Sequence, residues 1–170
     1  MPGDYKISRE PHRISTVLGS CVSVCLFHPR LHCGGMNHYM LPQREGPGPD
    51  GGKYGQYAIS ALFKFFEENA GSLSGLEAMI FGGANVLNFD KHAGARIGEL
   101  NIAKARTMLR DRGIPVIREQ VGGSAGLKLS YQNWDNSIEV TPLSQIAPAD
   151  VEFMRKGILD TLEMLSKYQT

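Results

Sequence analysis

Two side chains have types and placement suited to covalent chemistry: Cys21, at the end of Gly19-Ser20-Cys21, and His38, within MNHYMLP. Cys21 opens an alternating run, CVSVCLF, that puts Cys21, Ser23 and Cys25 on one face and Val22, Val24 and Leu26 on the other. HPRL (28–31) reads as a turn and CGGMNHYML (33–41) as a returning strand. A hairpin centred between Pro29 and Arg30 sets Cys21 directly opposite His38, with their Cβ atoms about 4.5–5.5 Å apart on one face. An adjacent imidazole would let the thiol ionise near neutral pH and act as a nucleophile. The expectation rests on register, because a slip of one residue turns His38 to the other face, and Gly34-Gly35 is a place for a bulge that would cause it. Gly19 permits the tight backbone path that turns amide N–H groups toward a developing oxyanion.

Spacing alone leaves two readings of the pair equally open: a catalytic dyad, or a core cysteine beside a structural histidine. A third reading is a zinc site, since Cys21, Cys25, His28, His32, Cys33 and His38 all fall within residues 21–38. Strand geometry argues against it, because Cys21 and Cys25 on an extended strand lie about 13 Å apart at 3.3 Å per residue. FGGAN (81–85) and VGGSAGLK (121–128) resemble phosphate cradles but miss the P-loop spacing, since Leu127 stands between Gly126 and Lys128. They read as strand-to-loop turns that can line the rim of a cleft.

The elements that must carry these residues alternate between β and α patterns. Residues 14–27 and 33–41 read as β structure. A helix follows from Tyr54, with Tyr57, Ala61, Leu62, Phe65 and Phe66 inward and Gly71 at its end. Residues 76–81 form a short buried strand. A second helix is expected from about 98 to 112, with Leu100, Ala103 and Met108 inward and Gly113 as its cap. Strands are expected at 114–121, 127–131 and 137–140, and a last amphipathic helix, capped by Asp150, through Val151, Met154, Ile158, Leu162 and Leu165. The Gly/Pro-rich 46–52 stretch is a loop positioned to gate a site near His38. The pattern is that of one α/β domain over residues 1–170.

Composition narrows the function classes. The 170 residues carry 18 basic against 17 acidic side chains, a net charge of +1, which gives no electrostatic case for nucleic acid or membrane binding. No apolar run approaches the roughly 20 residues of a membrane span, and the first residues lack a signal-peptide core, so no membrane insertion is expected. Three cysteines make a poor disulfide framework and suit a reducing, cytoplasmic compartment.

TVLGSCVSVCLFHP, GGMNHYMLP, FGGANV, IGELNI and VGGSAGLKLSY stand in the order and spacing of the chemoreceptor glutamine deamidases, the CheD proteins of bacterial chemotaxis. The sequence resembles that family over residues 5–140. The resemblance implies hydrolysis of receptor glutamine side chains to glutamate and ammonia, with Cys21 as nucleophile and His38 as base. It implies no cofactor and no metal. The family's catalytic hydroxyl, a threonine six positions before the cysteine, falls by gap-free matching on Ser15, with Thr16 beside it. The implied fold is layered β-sheets flanked by helices, similar to the cytotoxic necrotizing factor deamidases. The implied partners are the chemoreceptor cytoplasmic domain, as substrate, and a CheC-type phosphatase, with the glycine loops and the 43–53 segment as the substrate-facing rim. The alternatives are a receptor glutamyl methylesterase and a non-catalytic chemotaxis binding module.

Overall fold

A computed structural model describes residues 3–44, 51–85 and 94–145. The expected last helix and residues 46–50 of the expected gating loop lie outside the described residues. Eight strands and two long helices make up the described chain, mixed as the sequence pattern predicts. The strands are β1 (Tyr5–Ser8), β2 (Arg13–Leu18), β3 (Val22–His28), β4 (Cys33–Asn37), β5 (Glu77–Gly82), β6 (Val116–Val121), β7 (Leu127–Gln132) and β8 (Ile138–Pro142). The helices are α1 (Gly55–Ala70), before β5, and α2 (Gly94–Asp111), between β5 and β6.

These strands form two sheets. The larger has the order β1-β4-β3-β5-β6 and is antiparallel except for the parallel β5–β6 pair, which needs the α2 crossover between its strands. The smaller is the antiparallel sheet β2-β7-β8. Every residue of β3 is buried, because that strand is covered on both faces. One face packs Val22, Val24 and Leu26 against α1 and α2, through Ile59, Leu62, Phe66, Ile102 and Leu109. The other packs Cys21, Cys25, Met36 and Met40 against Leu18, Leu127, Leu129 and Tyr131 of the smaller sheet. The molecule is therefore a mixed α/β structure with helices on one face of a sheet and a second sheet on the other.

The β-rich segment 14–27 does not run on as one strand. It breaks at Gly19-Ser20-Cys21, so that β2 belongs to the small sheet and β3 to the large one. Helix α1 ends at Gly71, whose φ of 76° is left-handed, as the sequence leads one to expect. Its buried face is Ala58, Ile59, Leu62, Phe63 and Phe66, rotated from the expected one, and Tyr57 is exposed. Leu62-Phe63 and Phe65-Phe66 place apolar side chains on adjacent positions, so the 3.6-residue period fits more than one face.

Helix α2 also starts earlier than expected, and its inward residues are Ile102, Ala105 and Leu109 with Asn101, while Leu100 and Ala103 face outward. The helix is set by a close backbone approach near its N-terminal end. A Cβ added to Gly98 would stand 2.3 Å from the Gly83 carbonyl oxygen. Only the absence of a side chain there lets α2 lie directly on the end of β5. Gly98→Ala must push helix and strand apart. A destabilisation of about 1–3 kcal/mol is expected, seen as a fall of several degrees in the thermal midpoint. An unchanged midpoint would show that the two backbones are not in that contact.

Candidate active site

The site is assembled where the chain crosses between the sheets. Three successive carbonyls of the crossing turn are each held from outside it. The Gly19 carbonyl accepts from the Ala84 N–H at 2.8 Å, the Ser20 carbonyl from Asn101 Nδ2 at 3.2 Å, and the Cys21 carbonyl from the Gly83 N–H at 2.8 Å. The two glycine-rich turns singled out in the sequence bond in turn to each other, through the Gly122 N–H to the Gly82 carbonyl and the Asn85 N–H to the Gly123 carbonyl. Gly82, Gly83, Gly122 and Gly123 all have positive φ. They form tight turns at the strand ends, and the 82–83 turn lies directly beside the Cys21 turn.

The hairpin forms, but its register differs from the expected one. Cys25 pairs with Met36 and Val22 with Tyr39, so the centre lies between Arg30 and Leu31. A short 3-10 turn, Pro29–Leu31, with His32 in the left-handed region, makes the connection. Continuing that register, Met40 faces Cys21, and His38 faces Ser23. The shift is by two residues, which preserves the face, so His38 stays on the side of the sheet that carries Cys21, Met36 and Met40. Cys21 and His38 are thus diagonal neighbours rather than directly opposed, a spacing that a long side chain spans. Gly34-Gly35 causes no bulge, and both residues pair in register with Phe27 and Leu26. Gly34 is required instead by Tyr131 of the small sheet, whose hydroxyl would lie 2.3 Å from an added Cβ. The ladder is interrupted further on, where Asn37 Oδ1 accepts the Val24 N–H and the Asn37 carbonyl accepts the Ser23 hydroxyl.

The backbone of His38 is held from the other side. Its N–H donates to the Asp4 carbonyl at 3.0 Å, and its carbonyl accepts from the Gly3 N–H at 2.8 Å. Its side chain meets the small sheet, where Nδ1 lies 2.8 Å from the Thr16 hydroxyl oxygen. In β2, Ile14, Thr16 and Leu18 share the inward face, paired with Tyr131, Leu129 and Leu127. Ser15 is on the opposite face, exposed, with its hydroxyl 3.5 Å from that of Ser130. The structure therefore joins Thr16, not Ser15, to His38. Gap-free counting lands on Ser15, yet a two-residue period anchored on Ile14 and Leu18 selects Thr16.

The site is nearly dry: Thr16 is 6% exposed, Cys21 7% and His38 4%. Burial pushes the His38 imidazole down to about 3, only partly countered by the Asp4 carboxylate. Burial therefore favours the neutral form of the His38 ring. Nδ1 is engaged with Thr16, while Nε2 is buried with no hydrogen-bond partner among the described residues. If Nδ1–H donates to Thr16, Nε2 is left with a lone pair that can receive a proton.

Burial raises the Cys25 and Cys33 thiols, so neither is a ready nucleophile. They pack on opposite faces of the large sheet, Cys25 toward the small sheet and Cys33 toward the helices. That separation is incompatible with a shared metal ion. Among the described residues no helix is long and apolar enough to cross a membrane.

Residues 40–142 match the family described as CheD chemotactic sensory transduction. The chain belongs to the CheD family. It is 36% identical over 151 residues to a protein of Hahella chejuensis named "Probable chemoreceptor glutamine deamidase CheD", covering 86% of this chain and 70% of the relative. A protein of the same name from Sulfurimonas denitrificans is 38% identical over 127 residues, 75% of this chain and 81% of the relative. One from Rhizobium etli is 39% identical over 133 residues, 76% and 70% respectively. The two relatives from Hahella and Rhizobium are thus matched over most of their length by this CheD-family chain.

The neutral state of His38 has a consequence for stability. An unfolded histidine takes up its proton near pH 6.5, whereas folded His38 does so only near 3. Between those values the unfolded chain binds more protons, so stability falls as pH falls, by up to about 1.4 kcal/mol per pH unit from this group. Urea unfolding between pH 7 and pH 3.5 should show that extra dependence in the wild type and not in His38→Gln. Equal pH dependence in the two would contradict a buried neutral His38.

Proposed function

We propose that this chain hydrolyses glutamine side chains of chemoreceptor cytoplasmic domains to glutamate and ammonia, through a thioester on Cys21. The observation that carries the reading is the Thr16–His38 hydrogen bond, which orients a buried imidazole on the face that bears Cys21, in a chain of the CheD family. In this reading the Cys21 sulfur adds to the glutamine carboxamide carbon, and His38 Nε2 takes the thiol proton as the bond forms. Backbone N–H groups of the 19–21 turn stabilise the oxyanion, and His38 returns the proton to the departing ammonia. Water, deprotonated by the same nitrogen, then cleaves the thioester and releases glutamate and the free thiol.

Thr16 supports this cycle by holding Nδ1, which keeps the ring in one tautomer and stabilises the imidazolium that forms transiently. The reading extends, on the family resemblance, to a cytoplasmic setting, control by a CheC-type phosphatase, and kinship with the fold of the cytotoxic necrotizing factor deamidases.

Purified chain incubated with a receptor cytoplasmic domain should add about 1 Da per converted glutamine, and Cys21→Ala should abolish the gain. Conversion that survives in Cys21→Ala would rule out the thioester route. The hydroxyl assignment is checked on the same assay. Thr16→Val should lower kcat roughly 10- to 100-fold, and Ser15→Ala should stay within about twofold of wild type. The reverse order of effects would restore Ser15.

A further inference from the structure

Asn101 lies on the inward face of α2 among Ile102, Ala105 and Leu109, and is fully buried. An apolar side chain would ordinarily occupy such a place, because burying an amide there is costly, and the Asn101 Oδ1 has no hydrogen-bond partner among the described residues. Its Nδ2 finds two, both main-chain carbonyls: Ser20 at 3.2 Å and Met40 at 2.8 Å. The two carbonyls belong to the segments that bear Cys21 and His38, just outside β3 and β4. Met40 lies one residue and Ser20 two residues beyond the Val22–Tyr39 bridge, where the backbone pairing of those segments ends. The carbonyl of Asn101 itself accepts the Tyr39 hydroxyl at 2.7 Å, which ties this turn of the helix to the His38 strand.

The Ser20 carbonyl and the Cys21 N–H belong to one trans peptide unit and so point in opposite directions. Holding that carbonyl against α2 turns the Cys21 N–H away from the helices, toward the face of the sheet on which the Cys21 side chain lies. We propose that Asn101 is a positioning residue for the reaction, aiming the Cys21 backbone N–H at the developing oxyanion by gripping the Ser20 carbonyl, with the Met40 carbonyl fixing the plane of its amide. The proposal rests on the deamidase reading above. A single neutral group with two diverging N–H donors is needed for this grip. Aspartate would set acceptor oxygens against two carbonyls, and leucine would fill the space without donating.

The test separates the oxyanion from the thiol. Alkylation of Cys21 by iodoacetamide is displacement at carbon by sulfur and needs no oxyanion donor, whereas amide hydrolysis does. For Asn101→Leu and Asn101→Asp, kcat for receptor deamidation should fall about 10- to 100-fold, with KM and the alkylation rate within about threefold of wild type. An unchanged kcat in a folded variant would overturn the proposal. So would a parallel fall in kcat and alkylation, which would make Asn101 merely a support for the fold. If neither variant folds, as judged by circular dichroism, Tyr39→Phe keeps the amide but releases its anchor. It should lower kcat about 3- to 10-fold with the same split, and an unchanged kcat there would equally overturn the role. A wild-type chain that converts no glutamine while Cys21 still alkylates would overturn the deamidase reading itself, and the positioning role with it.

Discussion

At Gly19-Ser20-Cys21 the chain leaves the three-stranded sheet and enters the five-stranded one, so a few backbone atoms must satisfy both layers at once. The turn cannot supply its own hydrogen bonds, because it belongs to neither ladder. Its carbonyls are taken instead by Ala84, Asn101 and Gly83. A buried carbonyl without a partner costs about 1–3 kcal/mol, so the path is held firmly as well as tightly. Everything in the candidate site follows from that crossing. It sends β2 and β3 to facing sheets, which is the only reason Thr16 can meet His38 across the interlayer core.

The same layering sets the electrostatics. Between two sheets the imidazole loses its hydration, and burial is the first cause of its lowered proton affinity. A ring kept neutral is a ring that can accept a proton, provided one nitrogen is occupied and the other is left open. The Thr16 hydroxyl occupies Nδ1, and Nε2 is the open atom. Placing a titratable group in the interlayer core lowers stability in acid. Cys21 lies in the same dry layer, packed with methionine and leucine side chains.

Close backbone approach is the second requirement. Gly82 and Gly83 pass beside the Cys21 turn, and an added Cβ at Gly82 would stand 2.3 Å from the Cys21 carbonyl oxygen. Gly98 does the same for the helix against Gly83. These contacts bring α2 near enough for the short Asn101 side chain to reach two strands. Packing and polar satisfaction therefore constrain one another, since a helix a few ångströms farther out would leave the amide and both carbonyls unpaired.

Much of this is legible in the residues. The alternation after Cys21, the turn at 28–31, the glycine ends of both helices and the strand ending in Gly82-Gly83 are local properties, written in side-chain period and backbone freedom. The motifs that carry the CheD resemblance are local too, which is why Cys21 and His38 stand out from the chain alone. The helix faces are not legible: apolar pairs at adjacent positions leave the period ambiguous, and the true face of α2 depends on what Gly98 touches. Nor does Asn101 stand out as a site residue, because its hydrogen bonds go to main chain distant in sequence. The Cys21–His38 pair marks the boundary most clearly. Residue order is enough to place the two on neighbouring strands and on a shared face, since a two-residue period survives a register shift of two. Packing of the layers makes them diagonal rather than opposed, keeps the ring dry and neutral, and gives it Thr16 rather than Ser15 as its hydroxyl partner. The reason is physical. Strand alternation is fixed by the covalent chain, whereas register, solvation and contact across the layers depend on which second sheet packs against the first.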